Sequence, residues 1–181
     1  MKFNTLFVAV ISASTLFASC SYQTGLDKQR KYVNATLADA DAFRLIKYVT
    51  ENGNYLVSLA DYADKASTSS DVKTLAGKIR EVYGKVLPET ESLGLDLHVG
   101  DGERGVPPFE APKSLGGDST TTFNAQAFKA LVAEKQGEIN TRVSREEKNT
   151  NPSVIHYSEE SLNAMKEVFE LAGGKEEHHH H

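Results

Sequence analysis

"SSDVKTLAGKIREVYGKV", residues 69–86, decides the fold. Val72, Leu75, Ala76, Ile79, Val82, Tyr83 and Val86 recur along it at spacings of three and four. Residues so spaced share one face of an α-helix, which turns once per about 3.6 residues. The stretch is therefore predicted to be an amphipathic helix with that face in a core. Ser69 or Ser70 is placed to cap its start. Pro88 lacks a backbone N–H, so a kink or an end is expected near it.

The same periodicity appears three more times. From Asp39 to about Ser67, Leu45, Tyr48, Tyr55, Leu59 and Tyr62 form a stripe that Phe43, Ile46 and Val49 widen. Gly53 inside it costs about 1 kcal/mol relative to Ala, which close packing or a slight bend would offset. From Thr122 to Asn149 the inner face is Phe128, Leu131, Val132, Ile139 and Val143. From Pro152 to Ala172 it is Ile155, Leu162, Met165, Val168, Phe169 and Leu171, with Gly173-Gly174 as the stop. "STSSD" and "NTNPS" are short breaks, so helices one and two, and three and four, form hairpins. Residues 94–121 differ: they are rich in Gly, contain Pro107, Pro108 and Pro112, and read as a long crossover. "GDGERG" within them lacks the alternating ligands of a calcium loop and the Gly-Lys-Ser/Thr of a phosphate loop. The predicted fold is all-α: an antiparallel four-helix bundle over residues 39–174, two hairpins joined by one crossover, the ferritin-like arrangement. A weak internal repeat agrees, with "AFR" at 42–44 matched by "AFK" at 127–129, and "IREVY" at 79–83 by "MKEVF" at 165–169.

The ends of the chain read differently. "MKFNTLFVAVISASTLFASC" has a positive start at Lys2, then an apolar run from Leu6 to Phe17 too short to span a membrane. It is expected to be a signal peptide, residues 1–19. Phe17-Ala18-Ser19-Cys20 resembles the lipobox of bacterial lipoproteins, with Phe17 in the usual place of Leu. The resemblance implies cleavage before Cys20 and lipidation of that residue. Ser21, not Asp, follows, which in such lipoproteins implies the outer membrane, facing the periplasm. Cys20 is the only cysteine, so no internal disulfide exists. Acyl chains bury about 0.8 kcal/mol per methylene, and two or three make an anchor effectively permanent. Residues 20–38 are polar, lack periodicity and read as a tether. Residues 175–181, "KEEHHHH", are a charged His tail, a native metal-binding tract or a tag. Lys2 is the only charge in the first 19 residues, so the 20 basic residues become 19 against 25 acidic. A mildly acidic chain without a basic stripe is not expected to bind nucleic acid.

"ADKASTSSDVKTLAGKIREVYGKV", "AFKALVAEKQGEI" and "SLNAMKEVFELA" resemble a ferritin-like domain-of-unknown-function family of exported bacterial proteins and lipoproteins, over about residues 40–172. Members of that family often carry His in the second, third and fourth helices. Here the matching positions are Tyr83, Lys135 and Val168. The resemblance thus implies the bundle fold, with any ligand role of those His lost.

A di-iron bundle needs Glu from two helices and Glu-x-x-His from two others. Glu51, Glu134 and Glu138 are weak carboxylate candidates for a metal, and His156 a weak imidazole one. "EVYG" at 81–84 and "ESLN" at 160–163 both lack the His. Glu134 and Glu138 read more simply as a solvated face, and His156 as a surface residue near a cap. A loop set of Asp96, His98, Asp101 and Glu103 is outweighed by a solvated loop. No catalytic residue is assigned, and no cofactor is predicted. Tyr83 and Lys135 could meet in the core; the plainer reading is a packed Tyr ring and a Lys reaching outward. The function expected is a non-enzymatic binding, scaffold or stress-related lipoprotein of the bacterial envelope. Its partners would be the membrane, through its lipid, and an envelope protein or small ligand. The alternative is a metal-binding ferritin-like protein using bundle carboxylates and the His tail.

Overall fold

A computed structural model describes residues 38–100, 105–117 and 122–175. The predicted signal peptide, Cys20, nearly all of the predicted tether and most of the His tail lie outside the described residues. Residues 36–181 form one compact unit, and the described residues belong to it. The described residues hold four α-helices and no strand: α1 Ala40–Ala66, α2 Ser70–Asp96, α3 Ala125–Arg145 and α4 Pro152–Leu171. Short 3₁₀ turns occupy Lys113–Leu115 and Glu146–Lys148. No described helix is long and apolar enough to cross a membrane.

Each helix begins and ends for a local reason. Asp39 caps α1, its carboxylate accepting from the backbone N–H of Asp41 and Ala42. Asn124 caps α3 and Asn151 caps α4 in the same way. Ser69 precedes α2 without a side-chain cap bond, so the expected capping is not made there. At the end of α2 the N–H of Val99 meets the carbonyl of Gly94, and that of His98 meets Leu95. These two bonds form a Schellman motif, with His98 in the left-handed position at φ 56. The end of α4 repeats the motif, with Gly173 at φ 92.

The core follows the stripes with instructive departures. In α2 all seven residues of the predicted stripe are buried. In α1 the buried face is Ala42, Leu45, Ile46, Val49, Gly53, Leu56, Leu59, Ala60 and Ala63. Tyr48, Tyr55 and Tyr62 sit beside it, half-buried. The Tyr48 hydroxyl donates to Glu138 and that of Tyr62 to the Gly116 carbonyl at the rim, while all three rings pack against the core. In α4, Leu171 is 44% exposed rather than buried, because the buried face runs through Met165, Val168 and Ala172 and Leu171 falls beside it. In α3, Leu131 is only half-buried, and Gln136 is fully buried.

Pro88 does not end α2, which runs eight residues further to Asp96. It and Gly84, whose carbonyl loses a donor, are both exposed, where water can replace the missing bond. The connection therefore begins at Leu97 rather than at residue 94. Its described part lies against α1: Phe109 packs on Tyr55 at 5.5 Å and on Tyr62 at 6.4 Å between ring centroids. Phe123 bridges Tyr62 and Phe128, and Leu115 is fully buried.

α1 packs chiefly on α2, and α3 on α4; α2 also meets α4, and α1 meets α3. Gly53 explains part of the first contact. A Cβ there would stand 2.8 Å from two ring atoms of Tyr83 and 3.0 Å from Leu87. Its absence lets the Tyr83 ring lie on the α1 backbone, the close packing that offsets a helical glycine's cost.

Candidate functional site

The interior of the helical domain carries neutral hydrogen-bonded pairs. Tyr83 is fully buried, and its hydroxyl donates to Gln136 Oε1 at 2.9 Å. Gln136 Nε2 in turn donates to Asn140 Oδ1 at 2.8 Å. Two turns along α2 from Tyr83, Thr90 donates its hydroxyl to the Val86 carbonyl at 2.7 Å. The Tyr157 hydroxyl lies 2.7 Å from the same oxygen. Since Thr90 has one hydrogen and spends it on Val86, Tyr157 is the donor. Ser158 and Ser161 are buried on the same helix as Tyr157.

Burial governs the titration of these groups. It pushes the Tyr83 hydroxyl far above its usual range, against the opposing pull of the Gln136 bond. Burial likewise pushes Tyr157 up to about 12, opposed by its bond to Thr90. Both therefore stay protonated donors through the physiological range. Neither can supply a phenolate ligand or base there without a large loss of solvation.

The predicted site residues are dispersed. Tyr83 and Val168 are core residues. Lys135 does not meet Tyr83; its ammonium lies 3.2 Å from Glu138 at the α3 surface, and the neighbouring Gln136 reaches Tyr83 instead. Glu138 accepts from the Tyr48 hydroxyl at 2.7 Å. That bond, then the one from Lys135, holds its carboxyl below the usual range. Arg142 stacks on the Tyr48 ring, 3.9 Å from its centroid. Glu51 faces Lys47 at 3.9 Å, and Glu134 is exposed. His156 is exposed and 3.3 Å from Glu160, on the next turn of its own helix. His98 terminates α2, whereas Asp101 and Glu103 lie outside the described residues. Among the described residues, no three His, Cys, Asp or Glu side chains come together as a metal-holding group.

Sequence reading missed Gln136 and Thr90 because both are polar. Their register was visible: Val132, Gln136, Ile139 and Val143 are spaced four, three and four, and Thr90 follows Val86 by four. A polar residue in step with an apolar stripe predicts a buried polar partner.

Two concavities of the described surface bear on function. One, of about 370 Å³, lies between the start of α1 and the end of α3 and is strongly charged. The other, of about 220 Å³, lies between α1 and the Val106–Phe109 segment, with Tyr55 and Lys135 on its wall. No family model, no curated protein and no solved structure matches the chain.

Proposed function

We propose that the chain is an envelope lipoprotein, anchored through Cys20, whose helical domain is a binding or scaffold module and not an enzyme. The observation that carries this reading is the neutral middle of the domain. Tyr83 with Gln136, and Tyr157 with Thr90, satisfy one another, which commits these four buried polar groups to structure. Recognition then falls to the surface: an envelope protein or a small ligand, with the lipid holding the domain at the outer membrane, facing the periplasm.

The domain is read as an antiparallel, ferritin-like bundle. Contacts between helix ends support that topology. Asp39 at the start of α1 accepts from Asn149 just beyond α3, at 3.1 Å. Lys129 early in α3 pairs with Asp71 early in α2, at 3.3 Å. Lys78 early in α2 pairs with Glu167 late in α4, at 2.7 Å. A crossover that runs the length of the bundle would bring α2 and α3 to a common start in this way.

Two experiments test the proposal. Cys20→Ala is expected to move the protein from membrane to soluble fractions; an unchanged membrane pool contradicts the anchor. Metal analysis of purified full chain, and of chain lacking residues 178–181, is expected to give no stoichiometric metal in the truncated form. Iron, zinc or manganese retained there in stoichiometric amount would replace this reading with the metal-binding one.

A further inference from the structure

The 370 Å³ concavity between α1 and α3 is strongly charged, and the core offers no explanation for that charge. Arg44, Arg142, Arg145 and Lys148 line it, against Asp41 and Glu146. Four cations thus face two carboxylates, in a chain whose formal net charge is −5. Both carboxylates are engaged already. Asp41 holds Arg44 at 3.5 Å, and Glu146 accepts from Asn149 at 2.7 Å. Among the described residues, no carboxylate lies within ion-pairing distance of Arg145 or Lys148.

Arg142 is positioned as well as charged. Its guanidinium stacks on the Tyr48 ring, and that ring is fixed by the Tyr48–Glu138 bond. Stacking uses the flat face of a guanidinium and leaves N–H donors at its edge. We infer that this concavity binds a phosphate-bearing ligand. The surplus of two positive charges matches a phosphate dianion better than a single carboxylate. Guanidinium forks match tetrahedral oxyanions two oxygens at a time. The volume accommodates a phosphate with a small polar body attached. Such a phosphate has two sources: a soluble phosphomonoester, or the headgroup of an anionic lipid. The second source rests on the proposed anchor, because the tether would enter α1 at the same end of the domain.

The test uses the full chain carrying Cys20→Ala, which removes lipidation. Calorimetric titration with inorganic phosphate and with glycerol phosphate at low salt is expected to show saturable binding. The double variant Arg145→Gln/Lys148→Gln should weaken it by about tenfold or more, the usual scale of lost charge-assisted hydrogen bonds. Lys65→Gln/Lys73→Gln removes the same charge from exposed positions elsewhere and should change binding by less than about twofold. All four side chains are exposed, so circular dichroism should show intact folds. A second arm compares phosphatidylcholine vesicles with and without phosphatidic acid. Extra binding to phosphatidic acid that the pocket variant abolishes identifies a lipid headgroup. Saturable glycerol phosphate binding without that gain identifies a soluble ligand. No saturable binding in either arm, or equal weakening by the control pair, overturns the inference. Failure of the lipid anchor alone would leave the titration arm unchanged.

Discussion

Two tyrosines reach α3 within one turn of each other and meet opposite conditions. Tyr83, from α2, is fully buried and donates to the neutral amide of Gln136. Tyr48, from α1, is half-buried and donates to the carboxylate of Glu138. Gln136 and Glu138 are two positions apart, hence about 200° around the helix, one facing the core and one the rim. The same phenol takes a neutral acceptor where water is excluded and a charged one where water remains. A buried carboxylate without full compensation loses several kcal/mol of solvation, whereas at the rim it keeps most of it. The domain therefore sorts its charges outward, to the α1–α3 rim and the concavity at its end, and keeps its middle neutral.

The largest difference between the regions is expected on truncation. Tyr83→Ala should cost about 3–5 kcal/mol, as for other fully buried aromatic side chains. Tyr48→Ala should cost about half of that or less, because the ring is only partly buried. Urea unfolding midpoints compare the two, and equal losses would erase the distinction.

A smaller effect isolates the buried hydrogen bond. Tyr83→Phe and Gln136→Leu should each cost about 1–3 kcal/mol, since each strands a buried polar partner. The double variant should cost clearly less than the sum, because it strands none between those two residues. Additive losses would show that the pair is not coupled.

The smallest effect lies at the rim. Glu138→Gln should cost at most about 1 kcal/mol, since the group is exposed and its pairs are screened. Its carboxyl is held below its usual value by Tyr48 and Lys135 in the folded state. The stabilisation it brings is therefore present above the unfolded value of about 4.3 and is lost as pH falls through the folded value. Unfolding curves of wild type and variant should converge in acid. A gap that widens there would reverse the assigned sign.

What was legible in the sequence follows the same division. The α2 stripe was readable from Val72 to Val86 because every inward position there carries an apolar side chain; beyond it the polar Thr90 was missed. Gln136 was not, because an amide in a stripe looks like its outward end. The resemblance drew attention to Lys135, one residue away and about 100° off the inner face. The heptad-spaced tyrosines of α1 read as core, yet their hydroxyls require a rim. Pro88 read as a kink or an end, because sequence cannot tell that the solvated side of α2 absorbs it. The concavity between α1 and α3 combines residues about a hundred positions apart, so no local pattern could announce it.

The neutrality of the middle is open to one direct measurement. Gln136→Glu keeps the shape of the side chain and adds a carboxyl at a fully buried position. Burial should raise that carboxyl's folded value above the unfolded value of about 4.3, so the variant should match wild type in urea unfolding below it. As pH rises toward neutral, the variant should lose about 3–5 kcal/mol, the cost of ionising in the core or of staying protonated there. Equal stability of variant and wild type near neutral pH would contradict the account, because it would mean that the middle of the domain already accommodates charge.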